Sequence, residues 1–548
     1  MGTGLIEMLT QRVSDGLRRK TATSCSRWAE MYRVMGAPFP GPWTFDHHPW
    51  TREMHDADAE MVVGQKAAQM GFTEWALNKT FKAIDIDGIS VLYVLPANNP
   101  DATDFSTARF DPALEGSPHL ETLFTDVKNI HHKRAGHANL YIRGSRSRSQ
   151  LKSVPVGLIV FDELDEMMQD NISLALERTS GQLEKQALAL STPTIDNFGI
   201  NQYFKKSSQS HFFFRCPHCN RLTELVFPEC LVIIGDDPDD IAILDTHLKC
   251  KECDHKLEHD SKIDWLRNAR WVRGHTDRLI EGYHINQLYS MTVKPYEIAT
   301  LYLKAQSNPT DEQEFYNSKL GLTHIVEGAR ITDADIEKCT GTHVKTSTGQ
   351  GMVVMGIDVG KWLHYEIDQV FIDRETSTND INLATTTRLL TEGKVQHFEE
   401  LDYLIQQYGV AFAVIDANPE RRKALEFAQR FWGHVKLCFY GTGINSKAIH
   451  IHAEEEHTMS VDRTSWIDLA LSRFRREKMI LPKDLSHEYK EHLKALVRIY
   501  SKDILGNPVG KYVTGNEEDH FAHARTYAEL AIQLAVGLAR SEDIRGVV

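Results

Sequence analysis

The sequence predicts an α/β protein, built on mostly parallel sheets and divided into more than one domain, on three observations. Three apolar runs, residues 158–162, 353–358 and 411–416, each lead without a polar break into a carboxylate. A continuous apolar run of that length reads as a strand buried on both faces, as parallel-sheet strands are, and the carboxyl end of such a strand is where open α/β sheets bind ligands. The chain is also long, 548 residues, which suggests ~3 to 4 domains at roughly 150 residues each. Finally, residues 340–351 are rich in Thr, Ser and Gly. That linker composition sets the first carboxylate strand apart from the other two.

The composition, 41% hydrophobic and 25% charged, is that of a globular protein. No apolar run approaches the ~18 to 20 residues needed to cross a bilayer, and the amino terminus lacks a signal-peptide core, so an intracellular protein with no membrane partner is expected. The net charge of −14 excludes a chain coated uniformly in positive charge. It leaves room for a local basic surface that binds nucleic acid.

Residues 1–40 read as an N-terminal segment of helix and loop, with Arg18-Arg19-Lys20 as a solvated helix end. Met61-Val62-Val63 is a short strand, followed by Lys66-Ala67-Ala68-Gln69-Met70-Gly71-Phe72-Thr73. The usual phosphate loop, G-x-x-x-x-G-K-[ST], wraps phosphates in backbone N–H groups and adds a mobile lysine charge. Here Gly71 and Thr73 keep their places, Phe72 replaces the lysine, and Lys66 stands where the first glycine would be. A lysine there reaches the β and γ phosphates from the other side of the loop.

A helix follows over 75–83, then strands at 91–96 and 139–142 and a basic loop at 144–152 that suits either phosphate contact or plain solvation. The strand at 158–162 ends in Asp162 and Glu163. In a nucleotide-hydrolysing fold Asp162 holds Mg²⁺ through its water shell, and Glu163 orients or deprotonates the attacking water. Asp165 and Glu166 read as solvated acids of the next turn. The strand at 187–193 ends in the hydroxyls of Ser191 and Thr192, where a γ-phosphate sensor would sit.

The displaced-lysine loop, the acidic strand and the strand ending Ser191-Thr192-Pro193 together resemble the large terminase subunit of tailed bacteriophages, in particular its lambda-like branch. The resemblance implies a P-loop ATPase domain that uses ATP and Mg²⁺ to drive double-stranded DNA into a procapsid, with Ser191 and Thr192 in a segment that couples hydrolysis to movement. It places Trp50, after Pro49, where the family has a tyrosine whose ring packs on adenine. It further implies a small terminase subunit and the portal protein of the procapsid as partners, a homo-oligomeric ring during packaging, and the cytoplasm of the infected bacterial host as the location. Arg109, Arg143, Arg146 and Arg148 are all eligible to complete the ATP site.

Five of the eight cysteines lie between 216 and 253, four of them as Cys216-Pro217-His218-Cys219 and Cys250-Lys251-Glu252-Cys253. In a large intracellular chain such pairs favour metal over disulfides, and four thiolates fit a closed, structural, tetrahedral Zn²⁺. The expectation is a zinc-ribbon-like insert at 205–275 within an ATPase domain at 41–330. Cys230 reads as an ordinary core residue, and His284 and Asn286 as core or capping residues.

Beyond a linker at 331–350, the strand-terminal Asp358 and Asp416 and the helix-opening Asp519 offer carboxylates from two strands and a helix. Three such groups can bind two divalent ions, Mg²⁺ or Mn²⁺, about 4 Å apart, one activating water and one stabilising the leaving oxygen. That is the arrangement of ribonuclease-H-like nucleases, expected here over 351–548, and the order of the three resembles the terminase nuclease domain. Glu366, Asp368 and Asp462 either join the metals or are solvated, and His520 and His523 could orient water or phosphate. Arg421-Arg422-Lys423 and the basic run 473–478 suit phosphate contact and solvated helix faces equally.

The expected function is ATP-driven packaging of viral DNA with metal-dependent cutting of concatemers. One rival is a helicase or translocase with an accessory nuclease, disfavoured because no second RecA-like repeat is evident. Another is a non-catalytic, prophage-derived scaffold binding DNA or capsid, disfavoured because the lysine and all the metal-binding carboxylates are present.

Overall fold

The computed structural model describes residues 24–545 apart from 125–126, 153, 374–377, 379, 442–446, 453–456, 503–507 and 516. The basic cluster Arg18-Arg19-Lys20 lies outside the described residues. The chain forms two compact units divided between His324 and Ile325.

The first unit is organised by one large sheet. Among its strands are β1 (Met61–Lys66), β2 (Val91–Leu95), β3 (Ala138–Gly144), β4 (Leu158–Asp162), β5 (Gln186–Ser191), β6 (Ser210–Arg215), β7 (Leu222–Thr223) and β10 (Glu281–Ile285), while β8 (His247–Lys249) and β9 (Lys256–Leu257) belong to a separate small sheet. The spatial order β6-β10-β1-β5-β4-β2-β3 is parallel throughout, and β7 adds antiparallel at one edge. β2 and β4 are buried at every position, which accounts for their unbroken apolar sequence. The central trio β1, β5 and β4 carries the chemistry. Gln65 pairs with Ser191 and Leu190 with Asp162, so Lys66, Ser191 and Glu163 emerge side by side at one end of the sheet. Helix α1 (Phe72–Lys82) starts there, after Gly71.

The second unit holds β11 (Met352–Val359), β12 (Leu363–Ile372), β13 (Thr385–Val395), β14 (Phe412–Asp416), β15 (Val435–Tyr440) and β16 (Thr458–Val461) in the order β16-β15-β14-β11-β12-β13. β11, β12 and β13 form an antiparallel meander, and β14, β15 and β16 continue parallel from β11. This is a ribonuclease-H-like sheet. The expected linker at 331–350 instead begins with α2 (Asp333–Cys339), capped by Thr332. Ile331, Ile336 and Cys339 are buried in a core shared with Ile467, Leu471 and Phe474 of α3 (Arg463–Arg475), so the polar composition that suggested a linker conceals an apolar helix face.

Helix α4 (His520–Arg545) crosses β11 at Gly356. A Cβ there would lie 2.1 Å from the Ala524 carbonyl oxygen, so only glycine permits the crossing. The close approach brings the start of α4 to the end of β11, where Asp358 stands.

Candidate active sites and a cysteine cluster

At the end of the first sheet, Lys66 is buried, and its Nζ lies 3.0 Å from Glu163 Oε1. Gly71 adopts the left-handed conformation (φ 77°) and caps α1, a turn that L side chains resist. Phe72, in the usual lysine position, is packed into the core against Trp75, which explains why the cation comes from Lys66. Tyr93 donates to Asp162 Oδ2 at 2.7 Å, and Thr73 lies 3.5 Å from Asp162 Oδ1. Burial, reinforced by the neighbouring Glu163 charge, pushes the Asp162 carboxyl up to about 6. Glu163 itself is held at φ 61°, a conformation that costs a non-glycine residue on the order of 1–3 kcal/mol and gathers at functional sites. Its side chain is 41% exposed, facing a cavity of about 290 Å³ that Lys66, Gly71, Thr73 and Arg109 also line. Of the four eligible arginines, Arg109 alone lines this cavity; Arg143 instead donates to the His131 carbonyl.

Two expectations for this unit are corrected by the structure. Trp50 is 1% exposed and donates its indole N–H to the Met70 carbonyl at 2.8 Å, while its own carbonyl accepts from Trp271. It braces the loop from behind and does not line the cavity. The rings that line it include Trp43, Phe39, stacked on His47 at 3.7 Å, and His48, packed against Gly71; the histidine pair directly before Pro49 was the sequence signal for His47 and His48.

Asp165 is likewise not solvated. It is 6% exposed and accepts from the Thr194 N–H and hydroxyl and from the Ile200 N–H, and burial pushes its carboxyl up to about 7. Its own N–H donates to the Ser191 hydroxyl, whose oxygen lies 3.5 Å from Glu163 Oε2. Thus Ser191 and the segment after Thr192 are tied to the acidic strand through Asp165. Glu166 is exposed.

The four cysteines of the paired motifs bring one sulfur each within 4.8 Å of the others. Cys216 and Cys219 sit on the turn between β6 and β7, and Cys250 and Cys253 on the turn between β8 and β9. The two turns repeat one design, with a left-handed residue (Asn220, Asp254) one place after the second cysteine and an N–H two places after the first aimed at its sulfur, from His218 to Cys216 and from Glu252 to Cys250. None of the four is in a disulfide. Cys230 is buried outside the cluster, His284 bonds the Leu320 carbonyl, and Asn286 caps the Leu288 N–H.

In the second unit Asp358 and Asp416 end the adjacent parallel strands β11 and β14. Burial, with the Asp358 charge adding to it, pushes the Asp416 carboxyl up to about 6. Burial would also raise Asp519, but the bond and charge of His523, 3.2 Å away, outweigh it and hold the carboxyl below its ordinary range. The compact group around Asp358 is completed by His364 and His520. His520 Nδ1 lies 2.8 Å from Asp358 Oδ2, and this bond raises the His520 imidazole. His523 is engaged by Asp519 and by the Tyr440 hydroxyl. Sequence reasoning missed His364, whose only signal is its register opposite Asp358.

The other acids have structural roles. Glu366 and Asp368 are fully buried and pair with Arg525, and Asp462 caps α3 by accepting from the Ser465 N–H. Arg473, assigned to a basic run suited to phosphate, is also fully buried and pairs with Glu529.

A parallel sheet ending in a cavity lined by a lysine and a carboxylate, followed by a ribonuclease-H-like sheet with strand-terminal aspartates, is the architecture of an ATPase joined to a nuclease. Residues 37–271 match the family described as phage terminase large subunit gpA, ATPase domain, and residues 280–539 match terminase large subunit gpA, endonuclease domain. The chain belongs to the phage terminase large subunit family, is an ATPase and an endonuclease, binds ATP and DNA, and serves DNA packaging and cutting.

The fold is similar to that of the large terminase of bacteriophage HK97, at TM-score 0.50 and 10% identity over 92% of this chain and 98% of that one. Similarity is also found to the large terminase ATPase domain of a Thermus phage (TM-score 0.32, 12% identity, 51% and 96% of the two chains) and to the large terminase nuclease of the thermophilic phage G20c (TM-score 0.21, 13% identity, 36% and 95%). No curated protein matches this chain. Among the described residues no helix is long and apolar enough to cross a membrane.

Proposed function

We propose that ATP binds in the cavity lined by Lys66, Gly71, Thr73 and Glu163, and that DNA is cut at Asp358, Asp416 and Asp519. The observation that carries the first assignment is the convergence of Lys66, Asp162, Glu163 and Thr73 within hydrogen-bonding reach at the ends of neighbouring strands. The ring contact to adenine passes from Trp50 to Phe39, His47 or His48, and Arg109 supplies the additional cation. Asp162 and Thr73 would hold the Mg²⁺ that accompanies ATP, and the buried, raised Asp162 carboxyl is the kind of group a cation relieves. Ser191 and Thr192 carry the state of Glu163 to the rest of the unit through Asp165.

The four cysteines would hold a structural Zn²⁺, since their sulfurs are gathered on two matching turns without forming a disulfide. Purified protein should contain about one zinc per chain, because four thiolates close one tetrahedral site, and Cys216→Ser should lose it; full zinc in that variant would remove Cys216 from the site.

In this reading the protein works as a ring on the portal of a procapsid, with a small terminase subunit, in the host cytoplasm. Packaging into portal-bearing procapsids tests it. The Asp358→Asn chain should package linear DNA yet leave concatemers uncut. Persistent cutting would remove Asp358 from the nuclease site, and failure of the wild-type chain to package would remove the portal assignment.

A further inference from the structure

His364 is placed opposite Asp358 by the β11–β12 ladder, which sets directly opposed Cβ atoms about 4.5–5.5 Å apart. It is 3% exposed, yet neither ring nitrogen has a hydrogen-bond partner, and the nearest carboxylate oxygen, on Glu488, is 4.0 Å away. A buried polar group left without a partner costs about 1–3 kcal/mol, and native structures keep few of them. The His520 ring stacks on His364 at 4.5 Å and 8°, with its Nδ1 on Asp358. One donor atom from each of Asp358, His364 and His520 lies within 4.8 Å of the other two, and a modest inward movement brings them to the separation of about 4.2 Å or less that one ion with bonds of about 2.1 Å requires. An orphaned imidazole beside a carboxylate and a second imidazole supplies a ligand set for one ion once the two stacked rings turn out of parallel, because each nitrogen lone pair lies in its own ring plane.

We infer that Asp358, His364 and His520 together hold one divalent ion of the nuclease centre, and that two imidazoles bias this position toward first-row transition ions, Mn²⁺ among them, over Mg²⁺. The inference rests on the nuclease reading given above and adds to its carboxylates two nitrogen ligands and a metal preference. Mg²⁺ favours oxygen ligands and gives up its waters reluctantly, whereas imidazole binds first-row transition ions well. Asp416 and Asp519 lie outside this compact group and would serve the other ion, Asp519 by exchanging its His523 partner for it.

The test is pulsed EPR and titration of Mn²⁺ with the full-length, zinc-replete chain, without added nucleotide. The wild type should show nitrogen modulation on bound Mn²⁺ and bind Mn²⁺ more tightly than Mg²⁺. His364→Leu, which fills the site without an orphaned nitrogen, should weaken the modulation and Mn²⁺ affinity by about 10-fold or more, on the scale of lost support around metal ligands, and narrow the Mn²⁺ to Mg²⁺ preference. His520→Ala, at a half-buried position, should do the same and guards against a folding defect in the first variant. Absence of nitrogen modulation in the wild type, or unchanged Mn²⁺ affinity in both variants, overturns the inference. If in that case Asp358→Asn still abolishes cutting, the nuclease reading survives alone; if cutting also persists in Asp358→Asn, both fall.

Discussion

Glu163→Gln should lower ATP hydrolysis by about 10²- to 10⁴-fold, the usual contribution of a positioned general base, while metal-dependent DNA cutting by the second unit persists. Glutamine keeps the shape and the hydrogen-bonding reach of the side chain but cannot take a proton. Lys66→Ala should have a comparable effect for a different reason, since removing one preorganised donor from a developing charge costs about 10²- to 10³-fold. In the structure these two side chains neutralise each other at 3.0 Å, so phosphate entry must exchange one partner of Lys66 for another. That exchange leaves Glu163 free to face water only once ATP is in place. ATPase activity retained in both variants would remove the loop assignment, and parallel loss of cutting would mean that the substitutions unfold the chain.

The same site dictates a pH dependence. The Asp162 carboxyl is raised to about 6 by burial and by the Glu163 charge, so its protonated form is favoured by the fold. Stability from this group is full below the ordinary aspartate value of about 3.9 and is lost as pH rises through about 6. Activity runs the other way, because a cation needs the carboxylate, and kcat/KM for ATP should fall as pH drops below about 6. Tyr93→Phe removes a hydrogen bond that favours the charged form and should move that limb upward; a limb that stays in place would assign it to another group.

How much of this was readable in the sequence depended on how local each cause is. The strand-terminal acids Asp162, Glu163, Asp358 and Asp416 were legible because an apolar run ending in a carboxylate is a one-dimensional pattern, and the cysteine pairs because a knuckle is a local turn. Trp50 was misassigned because its burial is set by Trp271 and Phe212, residues far along the chain that the sheet brings back. Asp165 looked like the solvated end of an acidic cluster because its three donors come from Thr194 and Ile200 on the far side of β5. His364 needed the register of a hairpin that the polar and charged residues of β12 concealed. Their burial is made possible by Arg525, on a helix far along the chain that packs against this strand.

That arginine sets the second large effect, Arg525→Met, which should destabilise the second unit by about 3–5 kcal/mol, as removal of one partner from a buried ion pair does. Arg525 and Arg473 are fully buried and face three fully buried carboxylates, Glu366, Asp368 and Glu529. Two guanidiniums cannot balance three anions out of water, and the imbalance falls on Glu366. Burial, aided by Asp368, drives its carboxyl well above the ordinary range despite Arg525, while Arg473 and Arg525 overcome burial to keep Glu529 ionised. A neutral Glu366, accepting from the Tyr489 hydroxyl at 2.7 Å, leaves two charges of each sign.

Methionine at 525 would strand Asp368 as an unpaired buried anion and so melt the unit lower by roughly 10 °C, at about 2–4 °C per kcal/mol for a unit of this size. Adding Glu366→Leu and Asp368→Leu to Arg525→Met should restore most of the melting temperature, because a whole buried ion network can be replaced by apolar residues at little cost. An Arg525→Met chain that melts like the wild type would show that the network is hydrated and cheap to break. Loss of DNA cutting in a Glu366 or Asp368 variant should therefore track the melting temperature, whereas loss in Asp358→Asn should occur in a chain that remains folded.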